Sequence, residues 1–486
     1  MTPPIGEADR QWQLVLTPHP LQRVGAYALA ALAGERDPEL LGPGGFERAV
    51  EELVGNAVQA SVRESKAVDG FWQKMSLSFF PNSPMNHPGR RKGKTDDGRP
   101  KSDADVREAV RAWLTEPEAA LGEGVGCALC GREACGFYGK RDVVLAESEA
   151  YRNTTPRGHE GLALCWPCLA SFYALPYGCQ LTGGSSVALH SWNEPFLAQV
   201  VTRQVGRNRR LAVSGDESKR QTESRELVAM RALRAYSERF TAGVDLLIFN
   251  NNNRGQLLES HSVSQPLAEW LRRTSRLQDL RRAFTVLVRA HRTTNVSGAV
   301  GLARNAFRAP TRILSTGTRG LTSLMEAPDP DVVAAAEVAG LLVTFAHEVM
   351  QVNEKDLAEI RATGHKLAGL WAEEKSIAPL KELRRLLRTP GKLRGWLTKQ
   401  SVAWAADPGL FAEGPLISVR AHVLLFDVEQ ENRGWLHRDL LLISVLEELA
   451  RRGWTPDDDA EPDEVLAELD EADRKFINNE DEEEGQ

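Results

Sequence analysis

The chain has 486 residues, 42% of them hydrophobic and 26% charged, which exceeds one typical core and suggests two or three domains. Its opening stretch from Met1 to Leu16 has no basic segment followed by a continuous apolar run, and the run from Val332 to Ala346 is interrupted by Glu337. Neither a secretory signal nor a membrane span of roughly 18 apolar residues is therefore expected, and the protein is expected in the cytosol with no membrane role. The net charge of -7 hides a division: from Asp457 onward fifteen acidic residues stand against Arg474 and Lys475, so everything before them is net basic.

In chain order, PHPLQRVGAYALAALAG places apolar residues at helical spacing and stops at Gly34, which predicts a first helix. A second is expected from Phe46 to about Glu64, with Phe46, Val50, Leu53, Val54 and Val58 on one face. FWQKMSLSFF, residues 71–80, alternates enough to predict a strand, and the Pro-, Gly-, Asn- and cation-rich residues that follow it predict a long exposed loop. A helix is expected from Asp103 to Ala119 and a cysteine module from Gly122 to about Gly183. Strands are predicted at Ser186–Ser191 and Val244–Asn250, a basic helix at Glu226–Arg239, and a loop at Asn250–Gly255. From Asp329 the pattern is helical to Gly364, and helices at Pro379–Thr389, Leu416–Gln430 and Trp435–Arg452 follow, the last closed by Gly453. Four such helices with short connections make a bundle. The tail after Asp457 is too acidic to bury anything and is expected to be disordered.

These elements predict an α+β protein: a mixed N-terminal domain with an inserted zinc ribbon, then a C-terminal helical bundle. Residues 1–121 form its first part, with a basic loop at 82–101; 122–183 form the ribbon; and 184–325, rich in arginine, complete the N-terminal domain. The bundle takes 326–455 and the acidic tail 456–486.

Six cysteines in so long a chain do not make a disulfide framework, and four stand as Cys127/Cys130 and Cys165/Cys168, two C-x-x-C pairs separated by thirty-four residues. Two such knuckles supply the four thiolates of a closed structural zinc site; a redox-active pair or merely buried thiols is the alternative. Cys135 and Cys179 remain as spares, either able to replace a ligand. In the loop, Asn82, Asn86, Arg90, Arg91, Lys92 and Lys94 offer cations for phosphates and amides for base edges, although a solvated loop has the same composition. Between Leu271 and Gly320 stand eleven arginines, no lysine and one acid, Asp279. Arg272, Arg273, Arg276, Arg281, Arg282, Arg289 and Arg292 suit phosphate binding, or pairing with the acidic tail. Lys381, Arg384, Arg385 and Arg388 fall opposite Leu380, Leu383 and Leu387, as a nucleic-acid face or a solvated one.

Enzyme motifs are poor. His347-Glu348 begins a metalloprotease-like pattern, but Gln351 occupies the place of the second histidine. With no phosphate-binding loop or nucleophile elbow, a non-catalytic protein is expected.

Several stretches resemble the large subunit of type I CRISPR surveillance complexes (Cascade), in the type I-B group named for its CXXC-CXXC zinc ribbon. They are PHPLQRVGAYALAALAG, FFPNSPMNHPG, CALCG, NTTPRGHEGLALCWPCLASFYALPYG and VALHSWN, all within the first 195 residues or so. The resemblance implies binding to crRNA and target double-stranded DNA, and contact with the other Cascade subunits, both backbone and small. It also implies recognition of the protospacer-adjacent motif during R-loop formation, and recruitment of a helicase-nuclease or of transposition machinery. Met325 and Met350 stand where an internal start would yield a separate small subunit of the kind this family sometimes makes. The alternative is a stand-alone zinc-ribbon nucleic-acid-binding regulator or an accessory protein of a mobile element.

Overall fold

The computed structural model describes residues 12–62, 71–86, 93–95, 97–117, 124–146, 161–182, 184–214, 224–252, 255–373, 376–426, 433–456, 466 and 468–478. The chain divides into two compact units, Met1–Ala232 with Phe240–Val263, and Leu233–Arg239 with Ser264–Gln486.

In the first unit, α1 (Pro20–Leu32) begins where the His19 ring accepts the Gln22 amide and Pro20 supplies a pre-set φ. Almost every residue of α1 is buried, because it lies against the equally buried α5 (Trp166–Gly178). Gly25 permits the approach: a Cβ there would stand 1.9 Å from the carbonyl oxygen of Ser171. Around this pair run α2 (Pro43–Ser61), α3 (Phe71–Phe79), α4 (Asp103–Leu114) and α6 (Glu194–Ser214). Pro176 interrupts the last turn of α5, and the buried Asn208 amide of α6 donates to the carbonyls of Tyr177 at 2.9 Å and Cys179 at 2.8 Å.

A short antiparallel hairpin, β1 (Gly136–Tyr138) with β2 (Leu162–Leu164), precedes α5. The larger sheet is antiparallel in the order β3 (Gln180–Thr182), β4 (Ser185–Ser191), β5 (Val244–Asn252), β6 (Gly255–Val263). The asparagine-rich segment read as a loop is the tip of the β5–β6 hairpin, with Asn252 paired to Gly255.

The strand expected at 71–80 is helix α3. Phe71, Trp72, Met75 and Phe79 recur at helical spacing and are all buried, and the Trp72 indole donates to the Tyr177 hydroxyl at 3.1 Å. Tertiary burial of one helical face overrides a short alternation of polar and apolar residues.

The second unit carries α8 (Gln265–Arg276), α9 (Arg281–Ala290), α10 (Gly298–Arg308), α11 (Thr311–Met325), α12 (Val332–Glu348) and α13 (Glu354–Trp371). It continues with α14 (Ala378–Leu386), α15 (Pro390–Ala406), α16 (Pro408–Phe411), α17 (Val419–Phe426), α18 (Gly434–Arg451) and α19 (Glu471–Asn478), while α7 (Arg225–Ala235) spans the unit boundary. The arginine-rich α9 lies in the second compact unit, whose longer segment opens at Ser264: its Phe284, Val286, Leu287 and Val288 are buried and it packs on α12. The helix expected to run from Asp329 to Gly364 is two helices. Gln351 takes a left-handed φ of 54°, and Asn353 caps α13 by accepting the Lys355 amide at 2.9 Å. Helix α15 was missed because Pro390, Gly391 and Gly395 look like breakers; Pro390 instead occupies the first turn, where its absent N–H costs nothing.

Part of the acidic tail also departs from expectation. Helix α19 buries Asp473, Phe476 and Ile477, so an acidic segment still carries an apolar face. The remainder of the tail expected to be disordered, 457–465, 467 and 479–486, lies outside the described residues. No helix among the described residues is long and apolar enough to cross a membrane.

Substituting Gly25→Ala should destabilise the first unit by about 1–3 kcal/mol, since backbone on two helices must move apart. Urea denaturation followed by tryptophan fluorescence checks this, and an unchanged midpoint would contradict the close seating of α1 on α5.

Candidate metal centre and basic surfaces

The first knuckle is a tight turn in which the Gly131 amide donates to the Cys127 carbonyl at 2.9 Å and Cys127 donates to the Arg132 carbonyl at 2.6 Å. Gly131 has φ +76°, a conformation that suits glycine. The second pair belongs to α5: Cys165 is its N-cap residue and Cys168 sits in its first turn. The knuckles are stitched together by backbone, Ala128 to Ala163 and Cys135 to Leu164, both at 2.8 Å. In this way a separation of thirty-four residues collapses to contact.

The sulfurs of Cys127, Cys130, Cys165 and Cys168 all lie within 4.8 Å of one another, with Cys130 and Cys165 at 3.5 Å, and none is in a disulfide. Three of the four are buried. Crowded thiols oppose one another's ionisation: the neighbouring sulfurs of Cys127, Cys165 and Cys168 hold Cys130 far below its ordinary value, whereas Cys127 and Cys130 push Cys165 and Cys168 well above theirs. Four thiolates in so small a volume require a cation, and the N-terminus of α5 adds a favourable field. The group could hold a metal ion.

Cys135 and Cys179 are not in the cluster. Cys135 lies 3.3 Å from both the Tyr138 hydroxyl and the Leu164 carbonyl, Cys179 is buried, and burial raises both thiols.

The basic loop divides. Arg90, Arg91 and Lys92 lie outside the described residues. Asn86 is half-buried and structural: its amide donates to the Phe80 carbonyl at 3.1 Å and its oxygen accepts from Ser76 at 3.2 Å. Asn82 and Lys94 are exposed. Asn82, Lys101, Asp105 and Arg141 line a cleft beside the loop. Arg99 forks onto Asp105 at 2.7 and 2.8 Å, which holds that carboxyl well below the usual range.

The seven arginines expected to grip phosphates all engage the protein's own groups. Arg272 pairs with Glu269 at 2.6 Å and Arg273 with Glu348 at 2.6 Å, while Arg276 donates to the Ala235 carbonyl at 2.9 Å. Arg282 lies 3.7 Å from Glu337, and Arg281 donates to Asn478. Arg289 donates to the Leu466 carbonyl at 3.4 Å, and Arg292 meets Asp470 at 3.2 Å and Asp473 at 3.8 Å. On α14, Arg385 pairs with Glu382 at 2.7 Å and Arg388 is exposed, whereas Lys381 is half-buried and Arg384 turns to the buried Glu326 at 2.9 Å. Arg384 thus departs from the outward face expected of it. Sequence reasoning did not single out Arg304, Arg308, Arg312 and Arg319, which are exposed on α10 and α11. They belong to the same arginine run, but exposure, which sorts them, is not written in the run.

Comparison with family models, with curated proteins and with solved structures finds no match to this chain.

Replacing Cys165 by Ser should abolish bound metal in the purified chain, while Cys135→Ser and Cys179→Ser should leave it unchanged. Elemental analysis of the three variants checks this, and metal retained by Cys165→Ser would remove that residue from the ligand set.

Proposed function

We propose that this chain is the non-catalytic large subunit of a type I CRISPR surveillance complex, of the CXXC-CXXC group, stapled by a structural zinc ion. The observation that carries the reading is that the stretches bearing the resemblance pack into one body around the metal centre. Helix α1 lies on α5, the helix that begins at Cys165. Arg23 of α1 pairs with Glu194 and stacks 4.7 Å from the Trp192 ring, which joins the opening stretch to VALHSWN. Phe80 of FFPNSPMNHPG packs 6.0 Å from Tyr173. Residues dispersed over more than a third of the sequence are thus parts of one built object.

Zinc suits the ligand set. Zinc–sulfur bonds of about 2.3 Å place tetrahedral thiolates about 3.8 Å apart, close to the 3.5 Å between Cys130 and Cys165. Four thiolates leave no open coordination position, so the ion would hold the fold and would not activate water. In this reading the loop at 82–101 and the cleft of Asn82, Lys101 and Arg141 face the DNA flank, with cations on phosphates and amides on base edges. Long-sequence recognition is left to guide pairing. Partners are crRNA, target DNA, the backbone and small subunits, and a helicase-nuclease or transposition machinery.

Co-expression of the tagged chain with its genomic neighbours, followed by mass spectrometry and RNA sequencing of the purified material, tests the reading. Repeat-derived guide RNA with further subunits is the expected result. A lone zinc-containing chain without guide RNA would point instead to a stand-alone nucleic-acid-binding regulator.

A further inference from the structure

The acidic C-terminal segment does not float free of the arginine-rich helices; part of it is seated on them. Asp473 is fully buried, and its carboxylate accepts the amides of Gly298 at 3.0 Å and Ala299 at 2.8 Å at the start of α10. Arg292 reaches both Asp470 and Asp473. Arg281 donates to Asn478, and Arg289 to the Leu466 carbonyl. Leu466 itself packs over Gly320, next to the exposed Arg319: a Cβ on that glycine would be 3.6 Å from it. On the other side of α19, Arg234 lies between the rings of Phe476 at 4.0 Å and Phe284 at 5.0 Å.

Carboxylates on guanidinium groups and on helix amides make the contacts that backbone phosphates make with the same donors. Three of the seven arginines singled out from sequence are engaged by residues 466–478, within a tail whose fifteen acids outnumber its two cations. Within 466–478 itself Glu468, Asp470, Glu471 and Asp473 stand against Arg474 and Lys475, so an acidic segment of the chain's own occupies arginines whose chemistry suits a phosphate backbone.

We propose that the segment from Leu466 to Asn478 is an autoinhibitory strap, which covers arginines of α9 and the start of α10 and is displaced by the phosphate backbone of single-stranded nucleic acid. The proposal rests on the nucleic-acid-binding reading above and adds to it a competition within the chain. Displacement puts phosphates in place of the Asn478 amide oxygen on Arg281, the Leu466 carbonyl on Arg289 and the carboxylates of Asp470 and Asp473 on Arg292, and it parts Phe476 from Phe284 on α9. The second consequence opposes release, so binding is graded by the length and charge of the incoming strand rather than triggered by any small anion.

The test uses the full-length chain and a fluorescent single-stranded DNA oligonucleotide. Asp470→Asn combined with Asp473→Asn should tighten binding on the order of tenfold at low salt, with the gain shrinking as salt rises. A charge-matched control, Glu354→Gln with Glu373→Gln, should not. Should burial of Asp473 make the double variant fold poorly, hydrogen exchange on the unaltered chain decides. Amides of 471–478 should lose protection when the oligonucleotide is added to saturation. Equal affinity of the unaltered chain and the variant, an equal gain in the control, or unchanged protection at saturation would each overturn the strap while leaving nucleic-acid binding intact. No binding by any form would overturn both.

Discussion

Four sulfurs held within 4.8 Å of one another are the constraint on which the first unit turns. Two belong to a glycine-closed turn and two to the start of a helix, and nothing local brings these together. Backbone bonds from Ala128 to Ala163 and from Cys135 to Leu164 join them, and a metal ion shared by the four sulfurs would reinforce that link. Once Cys165 and Cys168 are fixed, α5 has a defined beginning, and α5 is buried on every side. Helix α1 must then lie along it, which is why Gly25 carries no side chain, and Asn208 closes its far end. Each of these is a consequence of where one helix starts.

In the second unit charge is organised by pairing. Arg272 and Glu269, Arg273 and Glu348, Arg384 and Glu326 stand within single hydrogen-bond distances. These part-buried pairs remove guanidinium groups from any surface that would attract phosphate. A count of eleven arginines between Leu271 and Gly320 therefore overstates the free positive surface, and the total of -7 understates it. What a ligand meets is set by those arginines whose partners can leave, and by Arg304 and Arg312, which stand exposed on α10 and α11.

The clustering of the four cysteines was legible because C-x-x-C is a local device: the spacing inside each pair already encodes the knuckle. The β4 and β5 strands and most helices were legible for a similar reason, since their periodicity is contained in the segment. Where sequence reasoning erred, the deciding contact was remote. Residues 71–80 alternate in the chain, yet Trp72 is claimed by Tyr177 and Phe79 stacks 5.2 Å from Phe249. Asp473 reads as one acid among fifteen until the amides of Gly298 and Ala299 are placed above it. The arginine content of α9 likewise hides its role in the second unit, since the buried face of that helix is apolar.

The loop that leaves α3 has a fixed base, and the four-cysteine cluster takes no direct part in it. Asn251, fully buried in β5, donates to the Phe79 carbonyl at 2.7 Å and to the Lys140 carbonyl at 3.0 Å. One amide thereby fixes the end of α3, where the loop departs, to the segment that follows β1. Asn86 closes the first turn of the loop onto Phe80. The Trp113 indole and the Tyr173 hydroxyl both donate to Asp142, at 2.8 and 3.2 Å, and so tie that segment to α4 and α5. Asn82, Lys101 and Arg141 thus hang from a frame that the thiolate cluster organises from behind. Such an arrangement separates the stiffness of the frame from the composition of the loop: on the proposed reading, loop residues could change while the four cysteines, Asn251 and Asp142 stay in place.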